Sequence, residues 1–133
     1  MQINLQVINK VLTFDSSKTN GNKKDMKTPT ARSYTLRTES GQWLGQVVLT
    51  SDGMYGSVTD YGNLSYAWRA FGEDFRDFIL QLNDGYFADK MATGMAYMIY
   101  NKKFDTACKR YAEHILPALQ AVLKAEKESG INW

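Results

Sequence analysis

The sequence predicts an α+β fold, an antiparallel β-meander of about four to five strands packed on one face by about three C-terminal helices. Three observations carry this. Residues 33–71 are short runs of alternating side chains broken by glycine turns. From residue 72 the apolar spacing changes to three and four, the period of a helix. A small meander also cannot stand without cover on its apolar face, and the helices supply it.

The elements follow in order. Ile3, Leu5 and Val7 alternate with Gln2, Asn4 and Gln6, which predicts an N-terminal strand with one buried face. "DSSKTNGNKKDMKTPT" holds almost nothing apolar, so residues 15–32 are expected to form a flexible polar loop inside a single domain spanning 1–133. "SYTLRTE" sets Tyr34 and Leu36 against Thr35 and Arg37. "QWLGQVVLT" sets Trp43, Val47 and Leu49 on one face. Asp52-Gly53 is a hairpin signal, because glycine accepts positive φ. "MYGSVTDY" then places Met54 and Val58 on one side and Tyr55, Ser57, Thr59 and Tyr61 on the other. "LSYAWRAF", with Leu64, Tyr66 and Trp68 on one face, is the last strand of the meander.

The first helix is expected within 72–85, with Phe75, Phe78, Ile79 and Leu82 as its stripe. Asn83-Asp84-Gly85 should end it, the glycine forming a left-handed cap. The second is expected over 86–103, with a stripe of Phe87, Met91, Met95 and Met98 that reads as core. The third is expected over 104–130, kinked or split at Pro117, because proline lacks the N–H and clashes with the preceding turn.

Composition excludes several chemistries. The 133 residues carry a formal net charge of +2 and hold 44% apolar residues, enough for a core of their own. Charge is unevenly spread. Residues 1–37 are basic, 52–89 are acidic, and the remainder is basic again. One cysteine, Cys108, allows no internal disulfide and suits a reducing cytosol. One histidine, His114, and one cysteine cannot make a zinc site. No phosphate loop, dinucleotide fingerprint or nucleophile elbow is present. No cofactor is expected. Glu73, Asp74 and Asp77 are a conceivable carboxylate cluster, but acids at a helix start usually cap it.

The remaining candidate is a surface. Tyr55, Tyr61 and Arg69 are residue types that dominate protein contacts, and Asp60, Glu73 and Asp74 would form an acidic rim around them. Such a rim repels nucleic acid and favours a protein partner, a basic one by charge. One alternative is a nucleic-acid module using Lys23, Lys24 and Lys27. Another is a carboxylate hydrolase using Asp52 with Asp60, or Glu73 with Asp74. A homodimer is also open.

The frame "DGMYGSVTDYGNLSYAWRAFGEDFRDFILQLNDGYFADKM", followed by the helical "YAEHILPAL", resembles a set of small uncharacterised proteins encoded by phages and prophages of enteric bacteria. The resemblance spans roughly residues 33–125 and carries no assigned reaction. It implies expression in an infected bacterial cytoplasm. It also implies action by binding a bacterial host protein or defence complex, as a counter-defence inhibitor of the anti-CRISPR kind would.

Overall fold

The computed structural model describes residues 5–8, 28–72, 74–95 and 102–133. Five strands, β1 (Leu5–Ile8), β2 (Ala31–Arg37), β3 (Trp43–Thr50), β4 (Met54–Thr59) and β5 (Ser65–Ala67), form one sheet in chain order. Every neighbouring pair is antiparallel. Three helices follow, α1 (Phe75–Leu80), α2 (Asp84–Met95) and α3 (Lys102–Glu128). The α3 helix packs on β2 and β3, α2 lies between α3 and β5, and α1 rests on α3. This is the α+β architecture the sequence predicts. Among the described residues no helix is long and apolar enough to cross a membrane.

Alternation decides which sheet face is covered. Tyr34, Leu36, Val47, Leu49 and Tyr55 are fully buried under the helices. Their neighbours Met54 and Val58 are 54% and 56% exposed on the opposite face. The sequence left open which side of β4 meets the helices, and the structure answers with the Tyr55 side.

Trp43 departs from the expected alternation. Leu36 pairs with Gly45, but Arg37 pairs with Trp43, so Leu44 is an extra residue in β3. This bulge turns Leu44 and Gly45 both inward and swings Trp43 to the open face, where it is 41% exposed. Only glycine fits next to it. A Cβ on Gly45 would lie 2.6 Å from Thr59 Cγ2. The Asp52-Gly53 turn forms as expected, with Gly53 at φ +105 and Trp68 donating its backbone N–H to the Gly53 carbonyl at 2.8 Å.

The helices also correct three boundaries. The Asn83-Asp84-Gly85 segment does not close α1. Asn83 Oδ1 accepts the Tyr86 N–H at 2.9 Å, so it caps the start of α2 instead. Phe87 and Met91 are buried as expected, while Met98 and the Met95 side chain lie outside the described residues. Pro117 neither splits nor ends α3, which runs 27 residues. Pro117 and Glu113 both face solvent, so water can satisfy the carbonyl that loses its donor. The polar segment is also shorter than predicted at its end, because Ala31 and Arg32 already belong to β2. Residues 15–27 of it, with Lys23, Lys24 and Lys27, lie outside the described residues.

One polar cluster sits inside the core. Glu126 on α3 is fully buried. Its carboxylate accepts from Arg76 Nη1 at 2.9 Å, from Tyr34 Oη at 3.0 Å and from Trp133 Nε1 at 2.9 Å, with Arg32 Nη1 at 3.6 Å. Arg76 also donates to the Ile131 carbonyl at 2.8 Å, and Arg32 to the Asn132 carbonyl at 2.5 Å. The Arg32 guanidinium lies 5.1 Å over the Trp133 ring. Strand, helices and residues 131–133 thus meet on one carboxylate.

A second cluster is made of hydroxyls. Ser57 Oγ donates to the Leu64 carbonyl at 3.0 Å. A hydroxyl has one proton, so Tyr111 must donate to Ser57, and Tyr55 in turn donates to Tyr111. Burial pushes the Tyr111 phenol up to about 12 and Tyr55 well above the ordinary tyrosine value.

Two outcomes follow. Glu126→Ala strands buried Arg76 and lowers stability by about 3–5 kcal/mol, read by urea unfolding, whereas Glu126→Gln, which can still accept from Tyr34 and Trp133, costs less. A loss below about 1 kcal/mol for the alanine variant would remove the cluster's central place. The raised tyrosines favour the folded chain while they are protonated. Their stabilisation is therefore complete below pH ~10 and is lost as pH rises toward about 12. Thermal midpoints should be flat from neutral to mildly alkaline pH and fall above it, in step with tyrosinate absorbance.

Candidate functional site

The β4–β5 connection is built to hold Tyr61 out from the sheet. Thr59 Oγ1 donates to the Gly62 carbonyl at 2.8 Å and accepts the Tyr61 N–H at 3.0 Å. Asn63 Oδ1 accepts the Thr59 N–H at 3.3 Å. The hydroxyl chain from Tyr55 through Tyr111 and Ser57 to Leu64 ties this turn to α3. Tyr61 then meets the helix. Its ring stacks on His114, centroids 4.2 Å apart and 7° from parallel, with the Arg110 guanidinium 5.7 Å from the ring centroid.

Beside this stack lies an open notch of about 210 Å³, lined by Tyr61, Leu64, Phe104, Ala107 and Cys108, with Gly62 and Asn63 at the turn. Cys108 is 1% exposed. Burial, helped by Asp105, pushes its thiol up from the ordinary value, which makes it a poor nucleophile.

The same end of the sheet carries apolar groups on its open face. The Asp60 N–H bonds the Leu44 carbonyl at 3.1 Å, and Val58 pairs with Gln46. Exposed Trp43, Val58 and Asp60 therefore border the turn that carries Tyr61. Three of the four large apolar residues exposed among the described residues, Trp43, Met54 and Val58, share this face.

The predicted contact set divides. Tyr55 is a correction. It is fully buried and bonded to Tyr111, because its side of β4 is the one the helices cover, and it offers no surface. Asp60 and Tyr61 stand together at the turn. Arg69 and Asp74 belong to the other end of β4, where Trp68 bonds Gly53. Arg69 is exposed there, and Asp74 caps α1 by accepting the Asp77 N–H at 3.2 Å. Glu73 lies outside the described residues. Among the described residues Asp74 therefore stands apart from Tyr61, and the cation Arg110 meets its ring from across the fold.

Asp52 and Asp60 flank the six residues of β4. At ~3.3 Å per residue they stand about 20 Å apart, beyond the ~10 Å over which two carboxylates serve one glycosidic bond. Among the described residues no group of three or more His, Cys, Asp or Glu could hold a metal ion.

Sequence reading passed over Arg110, His114 and Trp43. The four-residue spacing of Arg110 and His114 puts them on one helical face. Nothing local says that Tyr61, some fifty residues earlier in the chain, lands on them.

At a second edge, Met54, Tyr55, Ser65, Tyr66 and Ala67 line a cleft of about 240 Å³. Next to it the Lys90 ammonium sits 5.7 Å from the Tyr66 ring and 5.4 Å from the Tyr86 ring. Those rings already hold a cation of the chain itself.

Tyr61 is half-buried against the core, so Tyr61→Ala should cost about 1–3 kcal/mol in urea unfolding, its aromatic pair plus partial burial. A loss above about 3 kcal/mol would make Tyr61 a core residue rather than a surface one.

Comparison with known proteins gives one match. Residues 26–105, more than half of the chain, match the model of a phage family, Phage_phiTE_072. Neither the curated proteins nor the solved structures give a significant match. The family model covers β2 through α2 and so includes the Tyr61 turn. The chain belongs to this phage family.

Proposed function

We propose that the chain is a non-enzymatic phage accessory protein that binds a bacterial protein complex and inhibits or modulates it. A host defence complex is the target class, as for counter-defence inhibitors of the anti-CRISPR kind. The observation that carries the reading is one end of the sheet, where half-buried Tyr61 stacks on His114 beside Arg110 on the helix side, and Asp60, Trp43 and Val58 are exposed at the same end, the last two on the open face. Tryptophan, tyrosine and arginine are the residues that most often dominate contact energy. Here Tyr61 is pre-ordered by a hydrogen-bonded turn, which lowers the entropy cost of docking. Membership of a phage family supports a bacterial setting for the partner.

The test is affinity capture from nuclease-treated bacterial lysate with wild type, Tyr61→Ala/Val58→Lys and Arg69→Ala proteins. The reading expects a stoichiometric protein partner retained by wild type and by Arg69→Ala. The double variant should lose about thirtyfold or more in affinity, the size of a ~2 kcal/mol hot spot. Capture that the double variant leaves unchanged would sink the surface. Capture that vanishes with nuclease would turn the reading toward nucleic acid.

A further inference from the structure

The notch under Tyr61 has a composition that selects its occupant. Its walls are mostly apolar, lined by Tyr61, Leu64, Phe104, Ala107 and Cys108. Its volume of about 210 Å³ falls below the ~300–1,000 Å³ of small-molecule sites. That is room for one side chain of another protein rather than for a cofactor. The rim beside Tyr61 carries the cation Arg110 and the imidazole of His114. Lys103, Ala107, Arg110 and His114 recur at i, i+4, i+7 and i+11 along one stripe of α3. Arg110 and His114 are exposed beside Tyr61.

The acids nearby are placed differently. Asp105 pairs with Lys109 at 3.3 Å. Glu113 falls off the stripe, and Asp60 lies at the Trp43 side of the turn. Resting on the reading that this end of the sheet binds a protein, we infer that the notch receives an acidic segment of the partner carrying one apolar anchor residue. The anchor seats against Leu64, Phe104 and Ala107, and the flanking carboxylates face Arg110 and His114. A nucleic acid would bring phosphates to the cations but no apolar side chain to the notch.

The probes are three short synthetic peptides and a single-stranded oligonucleotide, each labelled for fluorescence anisotropy with the full chain. One peptide is rich in aspartate and glutamate with a central phenylalanine. The second replaces that phenylalanine by serine, and the third replaces the acids by lysine. The acidic phenylalanine peptide should bind about tenfold or more tighter than either relative, and weaken as salt rises. Ala107→Trp, at an exposed helix position, should fill the notch and weaken it by a similar factor with unfolding unchanged. Arg110→Glu should do the same. Absent or equal binding of the three peptides, indifference to Ala107→Trp, or preference for the oligonucleotide would overturn the inference. If Tyr61-dependent capture of a host protein persists while the peptides fail, the notch assignment falls and the protein-binding reading stands. If the peptides bind through the notch while capture ignores Tyr61, the notch assignment stands and the Tyr61–Val58 contact surface falls.

Discussion

The structure hangs on one buried carboxylate. Glu126 is withdrawn from water, which costs several kcal/mol for an ion of that size. Arg76, Arg32, Tyr34 and Trp133 offset that cost by closing around it. The partners come from β2, α1 and the C-terminal residues, so the cluster fixes α1, α3 and β2 against one another. It also sets the rotation of α3. Successive residues turn by about 100° around a helix, so the side chains α3 presents to the sheet are decided wherever the helix is pinned. Glu126 pins it near one end, and the Tyr111 hydroxyl chain pins it again fifteen residues earlier. With both in place, Arg110 and His114 face Tyr61. Polar contacts in the core thereby position a surface far from Glu126.

The second constraint is the β3 bulge. An undistorted β3 would bury Trp43 beside Val47. The extra Leu44 turns it outward, and Gly45 permits this because Thr59 occupies the space a side chain would need. The bulge lies at the end of the sheet that carries Val58, Asp60 and Tyr61. Bulges commonly re-aim side chains near functional sites. Here one adds an indole to an open face that already carries Met54 and Val58.

The sequence made much of this legible where the signal is local. Alternation in Tyr34–Leu36 and in Met54–Val58, the Asp52-Gly53 turn, and the Phe75–Ile79 stripe each read correctly. A two-residue period and a 3.6-residue period need no distant information. What failed to read was set by other parts of the chain. The bulge at Leu44 depends on β2 and β4 together. Asn83 could have closed one helix or opened the next, and only the spacing of α1 and α2 decides. Tyr55 and Tyr61 lie on one predicted face, yet the first is sealed by Tyr111 and the second clears the edge of the sheet. The acids at 52, 60, 73 and 74 read as one patch in sequence. A strand separates Asp60 from Asp52 and Asp74.

The central claim is that the β4–β5 end of the sheet, with the facing stripe of α3, contacts a bacterial protein. Hydrogen–deuterium exchange of the isolated chain and of its captured complex tests this most directly. The account predicts slowed exchange in peptides covering residues 43–46, 57–64 and 102–114, with the Glu126 region unchanged because it is already protected. Slowing concentrated instead on β1, or on the Arg69–Asp74 segment, would contradict it.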